Sequence, residues 1–495
     1  MRTVDLIIFL AFIIGVTIFG GRFYKKKNTS QSYTLGSSIP DWVVTMSIFA
    51  TFVSSISYLA LPGSSYSSNW NAFVFSLSLP IASLVAVKFF VPLYRKINSP
   101  SAYTYLEVRY GPWASIYASL CYLFTQIMRI GTILYLLALT LNALTDWDIA
   151  TIIIVTGALV AIYSALGGIS AILWTDAIQG IILIAGSLIC LLYLFIKMPE
   201  GPMQIFEIGF SQNKFSLGDF NFDFTESTFW VVLIYGVFIN LQNYGIDQNY
   251  VQRYMVSKSE KSAKKSALIG GLMYIPISAI FLLIGTSLFA YYQTVSQLPP
   301  ELMEPNSGDK IFPYFIANEL PVGISGILMA SIFAAGMSTI STSLNSSATV
   351  FYTNYIKKII SNKKVGYLLK GDGVKYLYIL SIAISIIGIG VSILMINVKS
   401  ALDVWWKLSS IFSGGMLGLF LLGVFLKSKN KLAPILGTVS GILVIFYLNF
   451  PGLGGTTNDN TSQFHPYLTI VFGTMTIFLI GFLISLLLPY KSKSK

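Results

Sequence analysis

Charge is what this chain has least of. Only 11% of its 495 residues are Asp, Glu, Lys or Arg, while 55% are hydrophobic. A soluble domain carries about 25% charged residues, so a water-facing globular fold is excluded and the chain belongs in a bilayer. Histidine occurs once, as His465 in a polar loop, and cysteine twice, as Cys121 and Cys190 inside apolar runs. No His/Cys/carboxylate group has metal-ligand spacing, and the two cysteines read as packing residues rather than a disulfide. The chain has no glycine-rich nucleotide loop and no nucleophile elbow, so the reading is a non-enzyme. A cleavable leader is not expected either. The first apolar run, VDLIIFLAFIIGVTIFGG, is long enough to span, and Arg2 is its only upstream base.

Long apolar runs are what the chain has in quantity. About thirteen runs of roughly 18–25 residues mark an all-α integral membrane protein. They lie near 4–22, 41–61, 72–95, 113–143, 149–166, 171–196, 228–253, 266–292, 320–355, 375–398, 402–426, 433–450 and 467–488. The connecting loops alternate in charge. GRFYKKK, YRKINSPSAYTYLEVRY, QRYMVSKSEKSAKKS, YIKKIISNKK, LKSKNKL and YKSKSK are basic, and the loops between them, including the acidic stretch 197–227, are not. The positive-inside rule puts the N-terminus outside and the C-terminus in the cytoplasm. The net charge of +12 is then topology and contact with anionic lipid, not nucleic-acid binding.

Two runs carry polar residues where a span should be apolar. The second holds Thr51, Ser54, Ser55 and Ser57; the seventh holds Asn240, Gln242, Asn243, Gly245, Asp247 and Gln248. The two are five apart and each is followed by four more runs. That is the pattern of an inverted repeat with one discontinuous helix opening each half. Two ordinary polar-faced helices are the alternative. In the ninth run Ser338, Ser341, Thr342 and Asn345 recur on one helical face, with Ala334 and Ala335 one turn earlier. Hydroxyls and carbonyls suit a hard monovalent cation, and small residues also serve close helix packing.

Ionised groups at bilayer depth are costly, so each needs a partner, ligand or ion. Asp176 in ILWTDAIQG shares its depth with the stripe at 338–342, where it acts as a cation ligand or caps its own helix. Arg129 in TQIMRIGTIL lies too deep to snorkel. Its planar fork suits a substrate carboxylate, and an ion pair with Asp176 or Asp247 is the alternative. Asp403 and Lys407 sit near the outer edge, and Trp405–Trp406 reads as an interfacial belt.

With these residues in hand, the chain resembles the sodium/solute symporters. YSALGGISAILWTDAIQGIIL (163–183), IFATFVSSISYLALP, YVQRYMVS and FAAGMSTISTSLNS carry the likeness, in order, over nearly the whole chain. Arg129 makes it most similar to the bacterial sodium-coupled sialic acid transporters. The resemblance implies a leucine-transporter-like 5+5 fold: an extra helix in 1–30, repeats at 40–196 and 228–426, and two closing helices in 433–490. It implies one sodium site on the carbonyls of Ala50, Val53 and Ala335 with the hydroxyls of Ser338 and Thr339. A second falls on Asp176, Ser338, Ser341 and Thr342; Thr339 and Thr342 stand where relatives carry serine. The substrate positions it implies are Ser54, Ser55 and Ser57 beside Arg129, with Gln242, Phe52 and Ser76 lining the pocket. Phe52 replaces a small hydroxyl residue, Ser76 a glutamine and Ala72 an aromatic residue. The expected activity is sodium-driven import of sialic acid across a bacterial plasma membrane, with two sodium ions per substrate. The alternatives are another carboxylated or neutral sugar, proline or a small carboxylate.

Overall fold

The computed structural model describes residues 2–22, 34, 39–145, 147–304, 307–361, 373–396, 398, 401–426, 431–449 and 464–487. Of the basic segments, 23–27, 362–364, 427–430 and the tail at 490–495 lie outside the described residues. Regular structure in the described residues is helical, apart from one parallel bridge between Ile39 and Ser257.

In chain order the first repeat region and its leader comprise α1 (Thr3–Gly21), the bent pair α2 (Asp41–Phe52) and α3 (Ile56–Ser67), α4 (Trp70–Ile97), α5 (Thr104–Tyr110), α6 (Pro112–Ala143), α7 (Ile149–Ile162) and α8 (Gly168–Lys197). Then come α9 (Met203–Ser211), the pair α10 (Phe229–Ile246) and α11 (Gln248–Val256), α12 (Glu260–Thr294), α13 (Gly308–Asn318), α14 (Ile324–Ile359), α15 (Gly373–Leu394), α16 (Ala401–Phe425), α17 (Leu432–Asn449) and α18 (Pro466–Leu487). Eleven described helices are long and apolar enough to cross a membrane, and α2–α3, bent by 56°, makes twelve. The run expected at 149–166 is helical up to the kink at Gly168; on the described residues, length and composition alone give twelve spans and not thirteen. α7 meets α8 at Gly168, whose φ of 55° is a left-handed setting that glycine adopts without penalty.

Burial sorts the helices into an inner and an outer set. α14 is buried along nearly its whole length, 325–350, and packs against α8, α6, α1 and α15. Its run of Ala, Gly, Ser and Thr lets neighbouring backbones come close. Opposite Ser331, for example, stands Gly186, where a β-carbon would come within 2.0 Å of the Ser331 hydroxyl. The outer helices turn large apolar side chains outward, such as Ile7, Ile14 and Ile18 of α1 and Leu483, Leu486 and Leu487 of α18. α1 is nonetheless pinned to the core. Asp5 Oδ1 accepts from the Gly323 and Gly326 amides at 2.7 and 2.9 Å, satisfying free N–H groups at the start of α14.

Candidate substrate and cation sites

Both broken spans are broken at the polar residues. α2 ends at Phe52, Val53 is extended (φ −78°, ψ 115°), and helical bonding resumes where the Tyr58 amide donates to the Ser54 carbonyl at 3.0 Å. The break aims the carbonyl end of α2 and the amide end of α3 at one another's neighbourhood, the first suited to a cation and the second to an anion. α10 ends at Ile246, and Asp247 (φ −71°, ψ 126°) caps α11 by accepting from the Asn249 amide at 2.7 Å. Its other oxygen accepts from Gln126 Nε2 at 3.2 Å. The seventh span is therefore a helix pair reaching Val256, rather than the single run ending at 253.

A narrow cavity, part of it open to solvent, lies against the first break. Phe52, Ser54, Ser57 and Arg129 line it together with Asn243, Tyr250 and Tyr274. Arg129 is 8% exposed and donates through Nη2 to the Thr51 carbonyl at 2.9 Å. No carboxylate lies within 4.0 Å of it among the described residues, so it makes no direct contact with Asp176 or Asp247, although the Asp247 carboxylate is near enough to feel its charge. Three expected lining residues are off the wall. Ser55 and Gln242 are buried, with the Ser55 hydroxyl and the Gln242 amide nitrogen unpartnered, and Ser76 is buried in α4. Asn243 takes the lining position in α10, because the helix turns Gln242 by about 100° away from it. Trp405 and Trp406 are not a lipid belt: both line the cavity, with the Trp405 ring 5.8 Å from the Arg129 guanidinium carbon and Trp406 stacked on Phe75 at 5.3 Å. Ser57 shares a hydrogen bond of 3.1 Å with the Tyr274 hydroxyl, and Phe52 packs edge-on to the same ring at 4.5 Å.

Behind the break, oxygens converge between α2 and α14. Ser338 Oγ donates to the Ala50 carbonyl at 3.2 Å and to the Ala335 carbonyl at 3.0 Å, and Thr339 Oγ1 donates to the Ala335 carbonyl at 3.0 Å. Four of the five oxygens expected at the first sodium site are thus gathered, and Val53, the fifth residue, lies in the break itself, outside both helical ladders. An all-oxygen set of carbonyls and hydroxyls fits a hard cation.

The second expected cation site has a different centre. Asp176 lies inside α8, not at its start, so it does not cap that helix. Its Oδ2 accepts from Ser47 Oγ at 2.7 Å and from Arg253 Nη2 at 2.6 Å, and lies 3.5 Å from Thr342 Oγ1. Arg253 was expected in a basic cytoplasmic loop; it is fully buried in α11. The sequence signal that finds it is its spacing in YVQRYMVS: four residues after Asn249, whose carbonyl it binds, on the inward face of a short helix. Ser338 and Ser341 are turned to main-chain carbonyls, Ser341 to that of Ser338 at 3.1 Å.

A family model described as the sodium:solute symporter family matches residues 32–441. The sodium/sialic acid symporter NanT of Aliivibrio fischeri is 30% identical, over 98% of this chain and 92% of that protein. The sodium/sialic acid symporter SiaT of Proteus mirabilis is 32% identical, over 88% of each. Among solved structures, a sodium-coupled sialic acid symporter in a substrate-bound outward-open state superposes with a TM-score of 0.89 at 28% identity, covering 99% of both chains. The nucleobase-cation-symport-1 transporter Mhp1 superposes at 0.56 with 13% identity, a likeness of fold alone.

Proposed function

Because this chain belongs to the sodium:solute symporter family, we propose that it imports sialic acid, coupling entry of the anionic sugar to sodium by alternating access. The single observation that carries the substrate choice is Arg129. It is a buried guanidinium on a cavity wall, donating to the Thr51 carbonyl, within reach of Tyr250 and in direct contact with no carboxylate among the described residues. A charge kept at that depth needs an anion, and its fork matches a carboxylate in two-point contact. Ser54 and Ser57, from the amide end of the broken helix, add hydroxyl donors beside it. Phe52, Tyr274 and Trp405 supply apolar faces for the sugar ring.

Sodium enters the reading at two places. The cluster of Ala50, Ala335, Ser338 and Thr339, completed by Val53, would hold one ion and lock α2 against α14. Asp176 with Thr342, Ser338 and Ser341 would hold a second. Sodium holding the broken helix would favour the substrate-ready state, and substrate would then close the outer side before both are released inward. The protein would sit in a bacterial plasma membrane with its N-terminus outside, its repeats at 40–196 and 228–426.

The test is uptake of labelled N-acetylneuraminate into proteoliposomes under an inward sodium gradient and an inside-negative potential, with a potassium control. Sodium-dependent accumulation supports the assignment. Correctly oriented protein that accumulates none of it, yet moves another solute with sodium, removes sialic acid and keeps the symporter.

A further inference from the structure

Three ion pairs join described residues. Two are at the surface, Lys264 with Glu260 and Lys358 with Glu107; the third, Arg253 with Asp176, has no exposed side-chain surface on either partner. Four hydrogen bonds hold the guanidinium. Nη2 donates to Asp176 Oδ2 at 2.6 Å and to Thr342 Oγ1 at 2.9 Å, Nε donates to Ser47 Oγ at 2.9 Å, and Nη1 donates to the Asn249 carbonyl. It therefore bridges Asp176 and Thr342, two of the four residues expected to hold the second sodium ion.

We propose that Arg253 is a tethered cation that takes turns with the second sodium ion at Asp176, an inference that rests on the sodium-coupled reading above. The physical need is charge balance. A fully buried carboxylate left without a partner is strongly destabilising, so an ion leaving Asp176 for the cytoplasm would strand it. Arg253 stands where it fills that position, contributing one positive charge in the same place. Its mount suits exchange. α11 is the short second half of a broken span, joined to α10 through the extended residue Asp247, whereas Asp176 and Thr342 belong to the long packed helices α8 and α14. When sodium binds, the guanidinium gives up Asp176 and Thr342 and keeps the Asn249 carbonyl on its own helix. Sodium must thus displace an internal competitor, which weakens its apparent affinity by the fraction of time the arginine holds the site and aids its release.

The rival arrangement is simultaneous binding. Asp176 Oδ1 has no hydrogen-bond partner, and sodium there, with Arg253 retained on Oδ2, would make the arginine a support rather than a competitor. The two differ in sign. The experiment compares wild type, Arg253→Gln and the double variant Asp176→Asn/Arg253→Gln as full-length purified protein. It measures the shift of melting temperature with sodium in the absence of substrate, and in parallel sodium-dependent uptake. Exchange predicts that sodium stabilises Arg253→Gln more than wild type, with a half-saturating concentration several-fold lower, and that the double variant loses this extra response. Turnover at saturating sodium should fall in Arg253→Gln, because release now strands the carboxylate. A half-saturating concentration that is unchanged or higher overturns the proposal. So does an Arg253→Gln protein that fails to fold even at saturating sodium, since the ion should stand in for the missing guanidinium. Wild-type uptake indifferent to sodium would remove the coupling reading itself, and this inference with it.

Discussion

Arg129 has five N–H donors and spends one on the Thr51 carbonyl. The guanidinium lines the cavity beside Tyr250, and what substitution removes is a charge-assisted bond to substrate. Charged hydrogen bonds are worth about 1.5–3 kcal/mol, so Arg129→Ala should raise the KM for N-acetylneuraminate roughly 10- to 100-fold in proteoliposome uptake. Arg129→Lys should recover only part of it, because an ammonium cannot fork. An unaltered KM in Arg129→Ala would remove Arg129 as the anchor of the substrate carboxylate. Ser338 is the residue that touches both walls of the first cation cluster, Ala50 on α2 and Ala335 on α14. Ser338→Ala should raise the sodium concentration for half-maximal uptake several-fold. Thr339→Ser keeps the hydroxyl and should leave that value near wild type, as sodium titrations of uptake would reveal.

Elements here are shaped by their interruptions. Gly168 turns the end of α7 into α8 with φ 55° and ψ 177°. A β-carbon there meets steric strain of about 1–3 kcal/mol, so Gly168→Ala should lower the melting temperature and reduce yield without altering sodium half-saturation in what folds. α13 lies outside the spans, and its Asp309 joins it to the start of α16 by accepting from the Ala401 amide at 2.9 Å. Burial pushes the Asp309 carboxyl up to about 6, with Asp403 adding to the rise and the Ala401 amide opposing it. A raised folded-state value means that the protonated form suits the fold. Its stabilising share is complete below the unfolded value near 3.8 and is lost as pH rises through about 6. Asp309→Asn, permanently neutral and still an acceptor, should therefore melt higher than wild type at neutral pH. The gap should narrow as pH falls below about 6 and close near 3.8; a gap that is constant with pH would remove Asp309 as its source.

At the scale of the whole molecule the open question is how much charge crosses with each sugar. One sodium ion with one monoanion moves none; two move one positive charge inward. Each such charge gains about 2.3 kcal/mol per 100 mV of potential. With two sodium ions, adding N-acetylneuraminate to proteoliposomes on a solid-supported membrane should evoke an inward positive current, and an inside-negative potential should speed uptake. Asp176→Asn, which removes the only carboxylate of the second cluster, should abolish the current while the Ala50–Ser338 cluster still binds its ion. A wild type with sodium-dependent but current-free uptake would leave a single coupling ion.

The sequence by itself determined the solvent, the class and much of the polar inventory. Bilayer residence, the helical class and the two breaks follow from local rules: apolar runs of spanning length, and polar residues that unwind them, at Val53–Ser54 and Asp247. The stripe of Ser338, Ser341, Thr342 and Asn345, with Ala335 one turn earlier, was legible in the helical period, whereas Thr339 and the ligand role of the Ala50, Val53 and Ala335 carbonyls came only with the family resemblance. What only the tertiary structure decided was partnership between distant stretches. The partner of Asp176 is Arg253, 77 residues away, and a basic residue beside a basic loop looks cytoplasmic until packing buries it. Trp405 and Trp406 face the cavity rather than lipid, and Asn243 rather than Gln242 lines it. A helix's rotation about its axis is set by what it packs against, and one-residue steps of about 100° decide which side chain faces the pocket.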